Sequence, residues 1–179
     1  MLMFWRHGYE TTSISDLTGA MGITPPSLYT AFGDKRRLFL EAAQRYVGDP
    51  EATRQAIESA PTAFDAASSL LEGAVVAFTG ETTPPGCLLA SATASGSAGS
   101  ADVQAAVAEI RRQVRENLQT RIERDVSDGL LPAATDASAL AGFVMTLLQG
   151  LSVMARDGMS RSSLTKIVDA ALHAWPQSD

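Results

Sequence analysis

The side chains best suited to chemistry are few and unevenly placed in this chain of 179 residues. One cysteine, Cys87, excludes an internal disulfide and a cysteine-built zinc site. Two histidines, His7 and His173, stand far apart, so neither a metal centre nor an acid–base pair built on histidine is expected. The informative cluster lies between Gly8 and Lys35. It holds hydroxyls at Thr24, Ser27 and Thr30, a phenol at Tyr29, two prolines at Pro25 and Pro26, and an ammonium at Lys35. Short hydroxyls reach phosphates and base edges, and methyl or ring carbons pack on thymine methyls. A lysine where a helix begins adds charge beside outward-pointing N–H groups, a good seat for a phosphate.

Two short helices must position these groups. Ser13 has N-cap chemistry, and Asp16 follows three residues on, where a capping box places its acid. That helix runs from Ile14 to about Met21, and Gly22 breaks it. Thr24 caps the next, with Pro25 at the first helical position, where a missing N–H costs nothing. It ends at Gly33, and Asp34 caps a further helix through Val47. Ile14, Leu17 and Met21 fall at i, i+3, i+7 and face inward, as do Leu28 and Phe32 at i, i+4. Thr24, Pro25, Pro26, Ser27, Tyr29 and Thr30 are left facing outward. Two helices about a glycine-containing turn make a helix-turn-helix, whose second helix enters the major groove. Tyr29 is read as a phosphate contact rather than a half-buried ring. Pro25 is a helix initiator and Pro26 an apolar base contact. Lys35 is the phosphate anchor, while Arg36 and Arg37 stand evenly between phosphate contact and a solvated helix start. Trp5 and His7 are expected to pack at the end of a first helix.

The segment closely resembles the TetR family of repressors. The matching residues are Gly8-Tyr9, Thr12-Ser13-Ile14, Asp16-Leu17, Met21-Gly22-Ile23, Ser27-Leu28-Tyr29, Phe32-Gly33 and Lys35, followed by Leu38-Phe39. The match keeps its spacing over about a quarter of the chain. It implies a homodimer, recognition helices in successive major grooves of double-stranded operator DNA, and a C-terminal domain that answers a small ligand. In the family the first helix begins well upstream. Here Met1 falls near that helix's end, so a truncated first helix, or a start assigned late, is expected.

The rest of the chain fits that plan. Residues 1–47 hold five basic against four acidic side chains, whereas the remainder holds nine against sixteen. The overall charge of −6 therefore lies in the C-terminal part. No alternating strand pattern appears, and seven or eight helices are expected in all; 51–59 is a weakly amphipathic stretch leading to Pro61, and helices are expected over 62–79, 87–94, 101–128, 136–157 and 161–175. The expected fold is all-α: a helix-turn-helix domain at 1–47, its first helix truncated, then a helical ligand-binding and dimerisation domain at 48–179. Leu71, Val75, Phe78, Leu88, Leu118, Ile122, Val144 and Met145 are candidates to line a cavity for an unidentified small apolar ligand, most of them serving simply as core. Residues 137–155 are apolar nearly all round, which requires burial on both sides. Phe143, Leu147, Gly150, Leu151 and Met154, with Leu172, are therefore assigned to a homodimer interface, a four-helix bundle about a two-fold axis. Cys87 is read as a small buried residue in preference to a redox sensor. No run reaches the ~20 apolar residues of a membrane span, so a cytoplasmic protein with no membrane partner and no cofactor or metal is expected. A helical enzyme lacks any catalytic constellation. An apolar-ligand module with weakened DNA binding is the alternative.

Overall fold

A computed structural model describes residues 1–94 and 96–177. Among them are ten α-helices and a short 3-10 turn: α1 (Leu2–His7), α2 (Ile14–Met21), α3 (Pro25–Phe32), α4 (Lys35–Val47), α5 (Pro50–Ser59), α6 (Ala63–Phe78), α7 (Leu88–Ala92), the turn Ala98–Ser100, α8 (Ala101–Ser127), α9 (Ala137–Arg156) and α10 (Arg161–His173). The fold is all-helical, with a helix-turn-helix at its N-terminal end. Most helices start on a side-chain cap. Ser13 accepts from the Asp16 N–H at 3.0 Å while Asp16 accepts from the Ser13 N–H at 2.8 Å, closing the expected capping box. Thr24, Asp34, Thr62, Asp136 and Ser160 cap α3, α4, α6, α9 and α10. Gly22 turns the chain from α2 toward α3 at φ 66°, a left-handed conformation that costs a side-chain-bearing residue energy.

The chain divides into two compact units. The first contains residues 1–49 and 87–109, and so includes α1 to α4, α7 and the start of α8. Here α1 packs on α7, and Phe4, Phe39 and Leu28 are fully enclosed. The Phe4 and Phe39 rings meet edge to face at 5.3 Å, and Tyr9 approaches Phe39 at 5.2 Å. Trp5 is buried beside Tyr46, as packing at the end of α1 requires, while His7 is exposed. Met21, expected inward, is 40% exposed, because it ends α2 and lies in an open apolar groove with Met1, Leu2, Met3 and Leu38.

The second unit contains residues 50–86 and 110–179. Helix α6 packs on α9 and α10 around Leu71, Val75, Val144, Leu164 and Val168. Leu118 and Ile122 of α8 are fully buried in the same unit. Beside them is an unexpected buried ion pair, Arg121 with Asp125. Arg121 donates to the carbonyls of Ala60 at 3.2 Å and Pro61 at 2.8 Å, and Asp125 accepts from the Ala63 N–H. The pair fastens the corner between α5 and α6 to α8. At φ 81°, Gly86 passes so near α9 that a Cβ would lie 2.7 Å from the Ser152 carbonyl oxygen.

Helix α9 corrects one expectation. It is 20 residues long, and by length and composition it is apolar enough to cross a membrane. The expectation counted only unbroken apolar runs. Small and uncharged polar residues such as Gly142, Thr146 and Gln149 interrupt the run here without adding charge.

Candidate DNA-reading surface

Helix α3 anchors itself through one fully buried side chain, Leu28, with Phe32 half-buried one turn on. All six residues assigned to the outward face, Thr24, Pro25, Pro26, Ser27, Tyr29 and Thr30, are exposed. Tyr29 is 49% exposed, the ring standing off the surface rather than half-buried in it. The hydroxyls are ordered locally. Thr24 Oγ1 accepts from the Ser27 N–H at 3.4 Å and lies 2.9 Å from the Ser27 hydroxyl. Thr30 donates its proton to the Pro26 carbonyl at 2.9 Å, which leaves its lone pairs as acceptors for a base amino group. Pro25 and Pro26 occupy the first two helical positions and carry no N–H, and Thr24 accepts the third. The start of α3 is thus an apolar wedge, not a cluster of donors for phosphate.

The cations at the start of α4 point in different directions. Lys35, expected as the phosphate anchor, is half-buried. Its Nζ donates to the Glu10 carbonyl at 3.3 Å and stands 4.5 Å from the centre of the Tyr9 ring. Burial pulls its pKa down, and the Glu10 charge opposes this in part. Arg36 pairs with Asp102 at the start of α8. Arg37 is exposed, and its side chain lies along Gly33 at the end of α3. Glu10 was not singled out from sequence. Its carboxylate is held below the usual range by hydrogen bonds from the Ser100 and Ser97 hydroxyls and the Ser97 N–H. The hint was its place directly after the Gly8-Tyr9 pair of the motif.

The other expected site residues fall as follows. Leu71, Val75, Phe78, Leu118, Ile122 and Val144 are buried in the second unit, and Met145 is half-buried there. Leu88 is buried in the first unit. Phe78 also borders an open cleft with Thr79, Pro85, Ala155, Arg156 and Arg161. Of the residues assigned to an interface, Phe143 is 41% exposed and Gly150 is exposed, while Leu147, Met154 and Leu172 are half-buried. Leu151 is enclosed within its own unit, because it shares the buried side of α9 with Ala141, Val144 and Ala155. Val153 of α9 and Ile167 of α10, both exposed, were not among the residues assigned to that face from sequence. Cys87 is half-buried and hydrogen-bonded to Tyr46, whose pKa is raised chiefly by burial. Among the described residues, no three His, Cys, Asp or Glu side chains gather closely enough to hold a metal ion.

The chain is similar to known proteins in both sequence and fold. The profile of the bacterial regulatory proteins of the tetR family matches residues 1–42, and that of the tetracyclin repressor-like C-terminal domain matches residues 63–171. The HTH-type transcriptional repressor ComR of Escherichia coli (strain K12) is 31% identical over 185 residues, which cover 99% of this chain and 85% of ComR. A cysteine mutant of the TetR family transcriptional regulator CifR, solved with a 26-bp double-strand operator DNA, is 41% identical, with a TM-score of 0.89 over 98% of this chain and 92% of that one. A putative TetR transcriptional regulator from Rhodococcus sp. RHA1 is also 41% identical, with a TM-score of 0.67 over 97% of this chain and 93% of that one.

Proposed function

The chain belongs to the TetR family of bacterial transcriptional regulators, and we propose that it is a cytoplasmic repressor that binds a palindromic operator as a homodimer and is released by a small apolar ligand. The observation that carries the reading is the face of α3, six consecutive-turn residues exposed around a single buried anchor. Tyr29 contacts a phosphate, Ser27 and Thr30 reach base edges, and Pro26 packs on a thymine methyl. ComR is a transcriptional repressor by name, and CifR has been solved on operator DNA, which favours repression through direct binding. Residues 1–47 carry the DNA contact, and the second unit, residues 50–86 and 110–179, carries the response and the pairing of protomers; the sequence boundary at 48 thus gives way at 87–109, which packs with the first unit.

Pairing uses the face of α9 that its own core leaves uncovered. Phe143, Gly150 and Val153 form that stripe, flanked by Leu147 and Met154, with Leu172 and Ile167 of α10 beside them. An apolar strip of this kind gains by burial against its two-fold copy. The ligand enters the apolar core of the second unit, where Leu71, Val75, Phe78, Leu118, Ile122, Val144 and Met145 supply contact without charge. It acts by favouring a dimer whose recognition helices no longer match the ~34 Å repeat of the major groove.

The test is fluorescence anisotropy on duplexes tiled across the intergenic DNA beside the gene. One palindromic segment should bind about a thousandfold more tightly than a scrambled duplex, with affinity falling steeply as salt rises. Equal binding to every duplex would overturn the reading.

A further inference from the structure

We propose that Glu10 and Arg36 are positioning residues for DNA binding, which clasp the segment 97–102 from either side of α2 and α3 and set the presentation of the recognition helix without touching the duplex. The inference rests on α3 being the helix that reads DNA. A helix of eight residues that encloses only Leu28 cannot fix its own attitude. Its neighbours must do so, and the ties they make converge on one stretch of chain. Before α2, the Glu10 carboxylate accepts from the Ser97 N–H at 3.1 Å and the Ser97 hydroxyl at 2.8 Å. Ser97 caps the turn Ala98–Ser100, and Ser100 is paired back to it, so the carboxylate grips a preformed structure. The Tyr9 N–H adds a bond to the Ala92 carbonyl at 3.1 Å. After α3, the Arg36 guanidinium pairs with Asp102, two residues beyond that turn. Val103 and Val107, on the following turns of α8, are buried in the same unit, which makes this stretch a firm base.

Both tied residues bracket the reading helix in sequence, and both land within six residues of each other. Lys35 completes the set by donating to the Glu10 carbonyl, so the same residue is held through its main chain and its side chain. Arg36 is half-exposed in the first turn of α4, four residues after the end of α3. It therefore has two possible employments, as a tie to Asp102 or as a phosphate contact. These differ in their dependence on salt. A phosphate contact contributes about one unit to the slope of log Kd against log salt, and a tie between two protein groups contributes none.

The experiment uses the full-length protein and the operator duplex its wild type selects, with Kd measured across a potassium chloride series. R36Q and D102N should each weaken specific binding about tenfold with the salt slope unchanged. The charge-reversed pair R36D/D102R should restore affinity to within about threefold of wild type. E10A should weaken binding similarly, and E10Q, which keeps a carbonyl acceptor for Ser97, should recover most of it. Thermal melts by circular dichroism identify any variant that unfolds, and the reversed pair and E10Q still decide the matter if a single variant does. A slope reduced by about one in R36Q together with tighter binding by D102N would assign Arg36 to phosphate and overturn the proposal. So would a reversed pair as weak as the single variants. A wild type that prefers no duplex would instead bring down the DNA-binding reading on which the proposal rests.

Discussion

Gly22 bears on stability, whereas Tyr29 is proposed to bear on recognition. Gly22 has open space around its Cα but a positive φ of 66°. Replacement by alanine is therefore expected to cost about 1 kcal/mol through backbone strain alone, read as a lower urea midpoint at constant m-value. Tyr29 supports little of the fold. Tyr29→Ala should leave the melting temperature near that of wild type and weaken operator binding about tenfold or more, measured side by side on one preparation. Acid behaviour also follows from single carboxylates. Hydrogen bonds from Ser13 hold Asp16 below the usual aspartate range, and those from Ser100 and Ser97 hold Glu10 below the usual glutamate range. A depressed carboxylate contributes stability above its unfolded pKa and loses it as pH falls through the lowered, folded value. The first unit should thus begin to lose stability as pH falls below the ordinary carboxylate range and go on losing it down to the lowered values, read as a falling urea midpoint followed by Trp5 fluorescence in a W175F background. The caps were legible because Ser13, Asp16, Thr24 and Pro25 act within four residues of themselves. The direction of Lys35 was not, since a long flexible side chain goes where tertiary partners draw it, here Tyr9 and the Glu10 carbonyl.

At the scale of elements, the strongest expectation concerns α8. Arg121 and Asp125 are almost fully enclosed, and their remaining hydrogen bonds go to the α5–α6 corner. Removing one partner strands the other charge in the core. Asp125→Ala should cost about 3–5 kcal/mol in urea unfolding, and the apolar double replacement R121M/D125L should cost clearly less than that single change. If both variants lose the same amount, the pair is not the cause. The periodicity of this helix was legible in the sequence, and Val103, Val107, Leu118 and Ile122 on its apolar side are enclosed, while Ile110, Val114 and Val126 at the same spacing are half-buried. It concealed the ion pair, because arginine and aspartate at i, i+4 on a helix usually form a solvated pair. Only the arrival of Ala60, Pro61 and Ala63, some sixty residues earlier in the chain, makes it an interior feature. Leu151 carries the same lesson. Its apolar character did not say which side of α9 it served.

For the whole molecule, self-association is the property most open to test. Phe143 and Val153 contribute exposed apolar surface to α9, so V153E should disfavour pairing while disturbing the protomer little. Sedimentation velocity is expected to show a species near the chain mass of 18.8 kDa for this variant and near twice that for wild type. Its affinity for a full palindrome should fall toward that for a half-site, since linkage of two reading heads no longer adds to binding. A wild type that sediments as a single chain would refute the assigned face. The order and limits of the helices were legible at this scale, because each carries its own periodicity and stop signals. The grouping of helices was not, because residues far apart in the chain share a unit.

That grouping bears on how such regulators can be recombined. The unit that includes the helix-turn-helix is built from two separate stretches, 1–49 and 87–109, and α1 rests on α7 from the second of them. A head transplanted by one cut near residue 49 would leave Phe4 and Trp5 to find cover from a foreign helix. A chimera that also carries 87–109 brings its own packing partners, and it should yield folded protein where the single-cut graft yields aggregates. In inheritance as in engineering, the two stretches are expected to travel together.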